Sequence, residues 1–324
     1  MARVVVTGGC GFVGSHLVEH LVRRGDEVTV FDAGPPPGAP GNVRYISGDL
    51  RDPAHLAVAV NGGVDIIYHL AAVVGVDRYL DRTLDVIDIN LTGTRNVLDM
   101  AERAGAKVLV ASTSEVFGKN PKVPWAEDDD RVLGSTATER WSYSSSKALA
   151  EHLTFAFARQ RGLRATIVRY FNVYGPRQRP AFVVSRSIHR VLRGLPPALY
   201  DDGGQTRCFT FVDDAIVGTI TAATSDQADG ECFNLGSSVE TPVRQVVQLV
   251  AELAGTEAVT VAVDMTERLG GRYQDLRRRV PDTTKAQQVL GWRSTTALRT
   301  GLEQTIEWAR ANPWWLALPD SGQS

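Results

Sequence analysis

The chain reads as an α/β protein whose parallel sheet is wound with helices on both faces, and three observations predict this. Short, continuously apolar runs alternate with longer amphipathic stretches through the first half, as in sheets covered on both sides. A glycine-rich turn, Gly8-Gly9-Cys10-Gly11-Phe12-Val13-Gly14, joins the first apolar run to the first amphipathic stretch. An aspartate, Asp32, closes the second apolar run. The predicted strands are Val4–Thr7, Val28–Asp32, Val43–Ser47, Ile66–Leu70, Val108–Ser112 and Ala165–Arg169. Apolar residues at helical spacing predict helices over Phe12–Arg24, Leu84–Ala104 and Ser144–Arg161.

Between these elements, Gly34-Pro35-Pro36-Pro37-Gly38-Ala39-Pro40-Gly41 is a breaker-rich loop. From about Gly175 the alternation loosens, with Pro196-Pro197, Asp201-Asp202-Gly203-Gly204 and Gly270-Gly271 interrupting it. The predicted organisation is a sheet domain over 1–174, a smaller lobe mainly over 175–315, and a frayed tail over 316–324. Segments near 207–235, among them Phe209–Val212 and Ile216–Ala223, are expected to return to the first domain.

At 324 residues the chain is long enough for a large core. A formal net charge of −2 offers no basic field, so no nucleic-acid partner is expected. Three cysteines, Cys10, Cys208 and Cys232, are too few and too scattered for a disulfide framework or a zinc site. No metal and a reduced, cytoplasmic setting are therefore expected. The first strand leaves no room for a leader, and no apolar run approaches the roughly 20 residues that span a bilayer. The expectation is a soluble protein with no membrane partner.

Gly9-x-Gly11-x-x-Gly14 fits a dinucleotide-binding turn. Its glycines allow a tight bend, backbone approach to a pyrophosphate, and close packing of helix on strand, while the helix N-terminus offers N–H groups to the anion. Gly8 adds an earlier glycine three residues before Gly11. Asp32, about 18 residues after Gly14, would accept hydrogen bonds from ribose hydroxyls and repel a 2′-phosphate, favouring NAD over NADP. An ordinary turn aspartate is the alternative. Mid-chain, Thr113 in Ser112-Thr113-Ser114-Glu115-Val116-Phe117-Gly118 precedes Tyr143-Ser144-Ser145-Ser146-Lys147. Tyr143 and Lys147 lie one turn apart on one helical face. A phenol, with an ordinary pKa near 10, becomes a base only where a neighbouring cation stabilises its phenolate.

Together these motifs resemble the extended short-chain dehydrogenase/reductases that rebuild nucleotide sugars, and the resemblance covers nearly the whole chain. It implies a Rossmann-type doubly wound parallel sheet with a smaller C-terminal substrate-binding lobe. It implies NAD held by Gly8, Gly11, Phe12, Val13, Gly14, Asp32, Tyr143 and Lys147. Asp49 and Leu50 look like the adenine contact, and Leu70, Ala71 and Ala72 like the ribose-lining segment. Thr113, Tyr143 and Lys147 would oxidise the sugar at C4, with Glu115 managing a proton at C5. Ser114, Asn172, Arg179, Arg207 and Arg272 fall where relatives contact substrate. The pattern is most similar to the bacterial decarboxylases that act on UDP-glucuronate, with UDP-4-keto-xylose or UDP-xylose as product. Arg177-Gln178-Arg179-Pro180 is nearer the uronate 4-epimerases, and a 4,6-dehydratase is a third alternative. A non-catalytic NAD-sensing protein belongs to another class, whose members usually lose the tyrosine or lysine. Relatives pair through the helices at Leu84–Ala104 and Ser144–Arg161, which implies a homodimer. Phe117 departs from a common family tyrosine and is expected to be a packing exchange.

Overall fold

The computed structural model describes residues 1–34, 43–75, 78, 81–257, 259–263 and 275–320. All six predicted strands form, each end within one residue of expectation: β1 (Arg3–Thr7), β2 (Glu27–Asp32), β3 (Arg44–Ser47), β4 (Ile66–His69), β5 (Lys107–Thr113) and β6 (Ala165–Tyr170). The second half adds the short strands β7 (Val173–Tyr174), β8 (Ala198–Tyr200), β9 (Thr206–Cys208) and β10 (Thr210–Phe211). After these, β11 (Cys232–Leu235) returns to the main sheet beside β6. The main sheet has seven strands in the order β11-β6-β5-β4-β1-β2-β3, and every neighbouring pair is parallel. Strand order reverses between β1 and β4. The crevice beyond the C-terminal ends at such a switch point is where open α/β sheets bind ligands.

Helices cover both faces. On one side α1 (Phe12–Arg23) and α7 (Val212–Thr224) bury Leu17, Leu21, Val212 and Ile216 against Val6, Val30 and Leu109. On the other, α2 (Pro53–Val60), α4 (Thr94–Ala104) and α5 (Arg140–Arg161) bury Leu56, Leu98 and Phe157 against Val5, Val108 and Ile167. The predicted helix Leu84–Ala104 is interrupted. It consists of α3 (Thr83–Asp88), a widened π-type turn over Ile89–Gly93, and α4. That turn carries the fully buried Asn90. α5 begins a turn earlier than expected, which places Tyr143 inside its first turn, and it stops at Gly162, whose φ of 68° suits glycine.

In the second half β9 pairs antiparallel with β12 (Glu240–Pro242) and parallel with β14 (Arg278–Arg279), while β8 pairs with β13 (Val261–Val263). Of the segments expected to return, Thr210–Phe211 pairs with β7 outside the main sheet. The helices α6 (Val183–Leu192), α8 (Val243–Ala254), α9 (Thr284–Leu290), α10 (Leu298–Ala311) and α11 (Pro313–Leu316) were not read from the sequence.

The segment after Trp315, expected to fray, is held as far as Asp320. Trp315 is buried and its indole N–H donates to the Gln178 carbonyl at 2.9 Å. The Leu316 carbonyl meets His189 Nε2 at 3.1 Å, and Asp320 pairs with Arg186 and Arg190. Phe117 is fully buried, stacked on Trp125 with ring centroids 5.0 Å apart. Among the described residues no helix is long and apolar enough to cross a membrane, and no group of three or more His, Cys, Asp or Glu side chains could hold a metal ion.

Candidate active site

The turn after β1 is shaped for close backbone contact. Gly8 has φ +73°, and a Cβ there would lie 2.6 Å from the Ala71 nitrogen. A Cβ on Gly14 would lie 2.1 Å from the Gly8 carbonyl oxygen. Gly11 precedes α1 with no side chain capping that helix, so the amides of Phe12, Val13 and Gly14 could serve an anion as donors. Asp32 accepts from the Cys10 amide through Oδ2 and from the Gly34 amide through Oδ1, both at 2.9 Å, which fixes the carboxylate at the end of β2. Leu70, Ala71 and Ala72 leave β4 against this turn, with the Leu70 amide donating to the Thr7 carbonyl at 3.1 Å. Leu50 is buried, whereas Asp49 is half-buried and held below the usual carboxylate range by Arg51, its partner at 2.6 Å. Most of the breaker-rich loop, from Pro35 to Gly41, lies outside the described residues.

A buried chain of hydrogen bonds ties this turn to α5. Thr7 Oγ1 meets His69 Nδ1 at 2.8 Å, and His69 Nε2 meets Thr94 Oγ1 at 3.0 Å. Thr94 donates to the Asn90 carbonyl at 2.6 Å, and Asn90 Nδ2 donates to Ser146 Oγ at 3.1 Å. Burial, with the Lys147 charge acting the same way, pulls the His69 imidazole down to about 3, so it is neutral. Ser146 lies between Tyr143 and Lys147 on α5, so one network joins the glycine turn to the part of α5 that carries both.

Thr113 ends β5, and its hydroxyl accepts from the Glu115 amide at 3.2 Å, starting the short turn over Ser114–Phe117. Tyr143 and Lys147 are both buried. Lys147 Nζ donates to the Ala111 carbonyl at 2.9 Å. Burial pulls this ammonium down to about 8, against the Glu151 carboxylate, which raises it. The Tyr143 phenol is pushed up, first by burial and then by the Glu115 charge, while a hydrogen bond with Thr113 and the Arg279 charge act the other way.

Glu115 projects into a cluster of charges. Its Oε1 lies 3.1 Å from Arg279 Nη1, and its Oε2 lies 3.5 Å from Arg140 Nη2. Burial raises its pKa, but the two guanidiniums outweigh that and hold the carboxyl below its ordinary value, so it is ionised. Arg207 Nη2 pairs with Asp275 at 2.8 Å, and Arg207 Nη1 donates to the Leu276 carbonyl at 2.7 Å. Three arginines thus face two carboxylates beside Tyr143. Ser114 is buried in the turn. Asn172 adopts the left-handed region, φ 41°, with Nδ2 donating to the Cys208 carbonyl at 3.4 Å. Arg179 donates to the Val74 carbonyl at 3.1 Å, so its loop and the one after β4 meet. Arg272 lies outside the described residues.

With this geometry in view, residues 4–236 match the family model described as the NAD dependent epimerase/dehydratase family. The chain belongs to that family. It is 39% identical over 317 residues to the UDP-N-acetyl-alpha-D-glucosaminuronate decarboxylase of Bacillus cytotoxicus, covering 95% of this chain and 98% of that one. It is 37% identical to UDP-glucuronic acid decarboxylase 4 of Arabidopsis thaliana, covering 94% of this chain and 68% of that one. Among solved structures, MoeE5 in complex with UDP-glucuronic acid and NAD superposes with a TM-score of 0.85 at 34% identity, covering 96% of this chain and 99% of that one. NAD is the family's cofactor, and the glycine turn, the open α1 N-terminus and Asp32 fit it.

Sequence reasoning missed Arg279, Arg140, Asp275 and Glu151 as members of the site. Arg279 follows Arg277 and Arg278 in a run with no visible pattern, and only the pairing of β14 with β9 turns it inward. A period of two would have separated it from Arg278. Glu151 carried a clearer signal, one turn beyond Lys147 on the same helical face.

Proposed function

We propose that this chain decarboxylates a UDP-linked hexuronic acid, UDP-glucuronate above all, through a 4-ketone. The observation that supports this most is the ionised Glu115, gripped by Arg279 and Arg140 beside Tyr143, in a chain 39% identical to a uronate decarboxylase. NAD, held by the glycine turn, the open α1 N-terminus and Asp32, would supply the redox chemistry at C4. Tyr143 takes the proton of the 4-hydroxyl, Thr113 hydrogen-bonds the same oxygen, and Lys147 favours the phenolate. Once C4 is a ketone, the C5 carboxylate is that of a β-keto acid. Its C–C bond breaks, CO₂ leaves, and the electron pair becomes an enolate whose oxygen Tyr143 and Thr113 stabilise.

Glu115 is ionised, so its part at C5 is electrostatic. It holds the water whose proton replaces CO₂. Asn172 and Arg207 are assigned to the diphosphate and Arg179 to the uronate carboxylate, with Arg272 at the sugar end. The lobe over 175–315 holds the nucleotide sugar against a cofactor domain over 1–174. Two copies pair through the helices bearing Leu84 and Leu149, which are 78% and 50% exposed, and the enzyme works in the cytoplasm.

The test compares UDP-glucuronate, its 2-acetamido analogue and neutral UDP-glucose as substrates of the NAD-loaded protein. The reading expects CO₂ from at least the first. Equal turnover of UDP-glucose, which has no carboxylate to lose, contradicts it.

A further inference from the structure

Beneath the catalytic face of α5 lies a buried ion pair that the mechanism above leaves unused. Glu151 stands one turn beyond Lys147 and two beyond Tyr143. It is 5% exposed, and both its oxygens are occupied. Oε1 accepts from Ser112 Oγ at 2.5 Å and from Arg169 Nε at 2.9 Å, and Oε2 accepts from Arg169 Nη2 at 2.7 Å. Arg169 comes from β6, donates through Nη1 to the Glu127 carbonyl at 2.7 Å, and lies over the Phe117 ring, 4.9 Å from its centroid. One carboxylate therefore joins the strand that ends at Thr113, the helix of Tyr143 and Lys147, and the strand that leads to Asn172.

We infer that Glu151 is a positioning residue that supplies the counter-charge of the Lys147 ammonium, held in place for that task by Arg169 and Ser112. The inference rests on the Tyr143–Lys147 reading of catalysis. A lysine buried to 3% exposure, with a neutral carbonyl as its acceptor, has lost most of its hydration and needs an anion to stay charged. From β4, His69 is neutral and offers none, and from the widened turn before α4, Asn90 is also neutral. From β5 come the Ala111 carbonyl and the Ser112 hydroxyl. Arg169 from β6 faces Glu151, as do Cys232 from β11, whose thiol is pushed up by burial, and Arg131 from the segment before α5.

Charge and scaffolding predict different behaviour in paired variants. Glu151→Gln keeps the shape and a hydrogen-bond acceptor for Ser112 but removes the charge. The titration midpoint of Lys147 can be followed by NMR on cofactor-free protein carrying labelled lysine, assigned through Lys147→Arg. It should fall by about one unit, and the alkaline limb of kcat should fall with it. Arg169→Met breaks the same ion pair but leaves the carboxylate, so the midpoint should hold or rise. If both variants move Lys147 alike, the pair is scaffolding and the inference fails. Should either single variant fail to fold, Glu151→Gln combined with Arg169→Met strands no charge. A lowered midpoint there supports the inference and an unchanged one overturns it. Failure of the catalytic reading is seen separately, as absence of turnover by the unsubstituted enzyme on any UDP-uronic acid.

Discussion

Replacing Arg279 by glutamine removes one of the two cations on Glu115 and leaves Arg140, 3.5 Å away, as the other. A guanidinium at such range lowers a carboxyl by about 1–3 units. Loss of the nearer partner, at 3.1 Å, should therefore raise Glu115 by about 1–2 units, a cost on the order of 2 kcal/mol. Glu115 titrates lower in the folded protein than its ordinary 4.5. Its ion pairs therefore stabilise the fold above that value, and the contribution is lost as pH falls through the folded pKa. The variant should be less stable at pH 7, and the gap should narrow as the pH falls below 4.5 and through the folded pKa. Because the mechanism needs Glu115 ionised, the acid limb of kcat should move to higher pH by about 1–2 units. KM should rise as well, since three arginines facing two carboxylates become two facing two. The assays are CO₂ release against pH and denaturant unfolding at pH 7 and pH 4. An acid limb that superimposes on that of the unsubstituted enzyme, with an equal stability difference at both pH values, would refute the role of Arg279 as the partner of Glu115.

Tyr143→Phe should lower kcat by about 10²–10⁴-fold with the fold intact, read as CO₂ release and by circular dichroism. Gly14→Ala should abolish NAD binding in calorimetry, because the new Cβ would meet the Gly8 carbonyl oxygen at 2.1 Å. Asp32→Ser should narrow the preference for NAD over NADP in paired dissociation constants, since a carboxylate at the end of β2 repels a 2′-phosphate. Asp214→Ala should lower the melting temperature, because that carboxylate accepts from Ser294, Thr295 and Thr296 at 2.7–3.2 Å and ties the segment before α10 to α7.

Local physics made the first half of the fold legible. Val4, Val5 and Val6 are buried on both faces of the sheet, so the run is continuously apolar and needs no partner to be recognised. The cofactor turn was legible for the same reason, since Gly8 and Gly14 answer steric demands local to the turn and the loop after β4. The second half depends on pairings across long sequence separation. β9 lies between β12 and β14, whose sequences say little alone, and Cys232–Leu235 becomes an edge strand because β6 offers it a ladder. The site divides in the same way. Tyr143 and Lys147 share one helix and one motif, whereas Arg279 reaches Glu115 from 164 residues away in sequence. As far as Asp320, the tail expected to fray is fixed by Trp315 and Asp320, whose partners Gln178, Arg186 and Arg190 lie 130–137 residues away in sequence. The break at Asn90 within a helical pattern reflects a buried hydrogen bond to Ser146, which apolar periodicity does not register.

The most direct test of the account is the mass of the product formed when the NAD-loaded protein turns over UDP-glucuronate. The account predicts loss of one CO₂, yielding a UDP-pentose or its 4-ketone, and no such product from Tyr143→Phe. A product of unchanged mass that elutes as a new isomer would make the reaction a 4-epimerisation and would contradict the account.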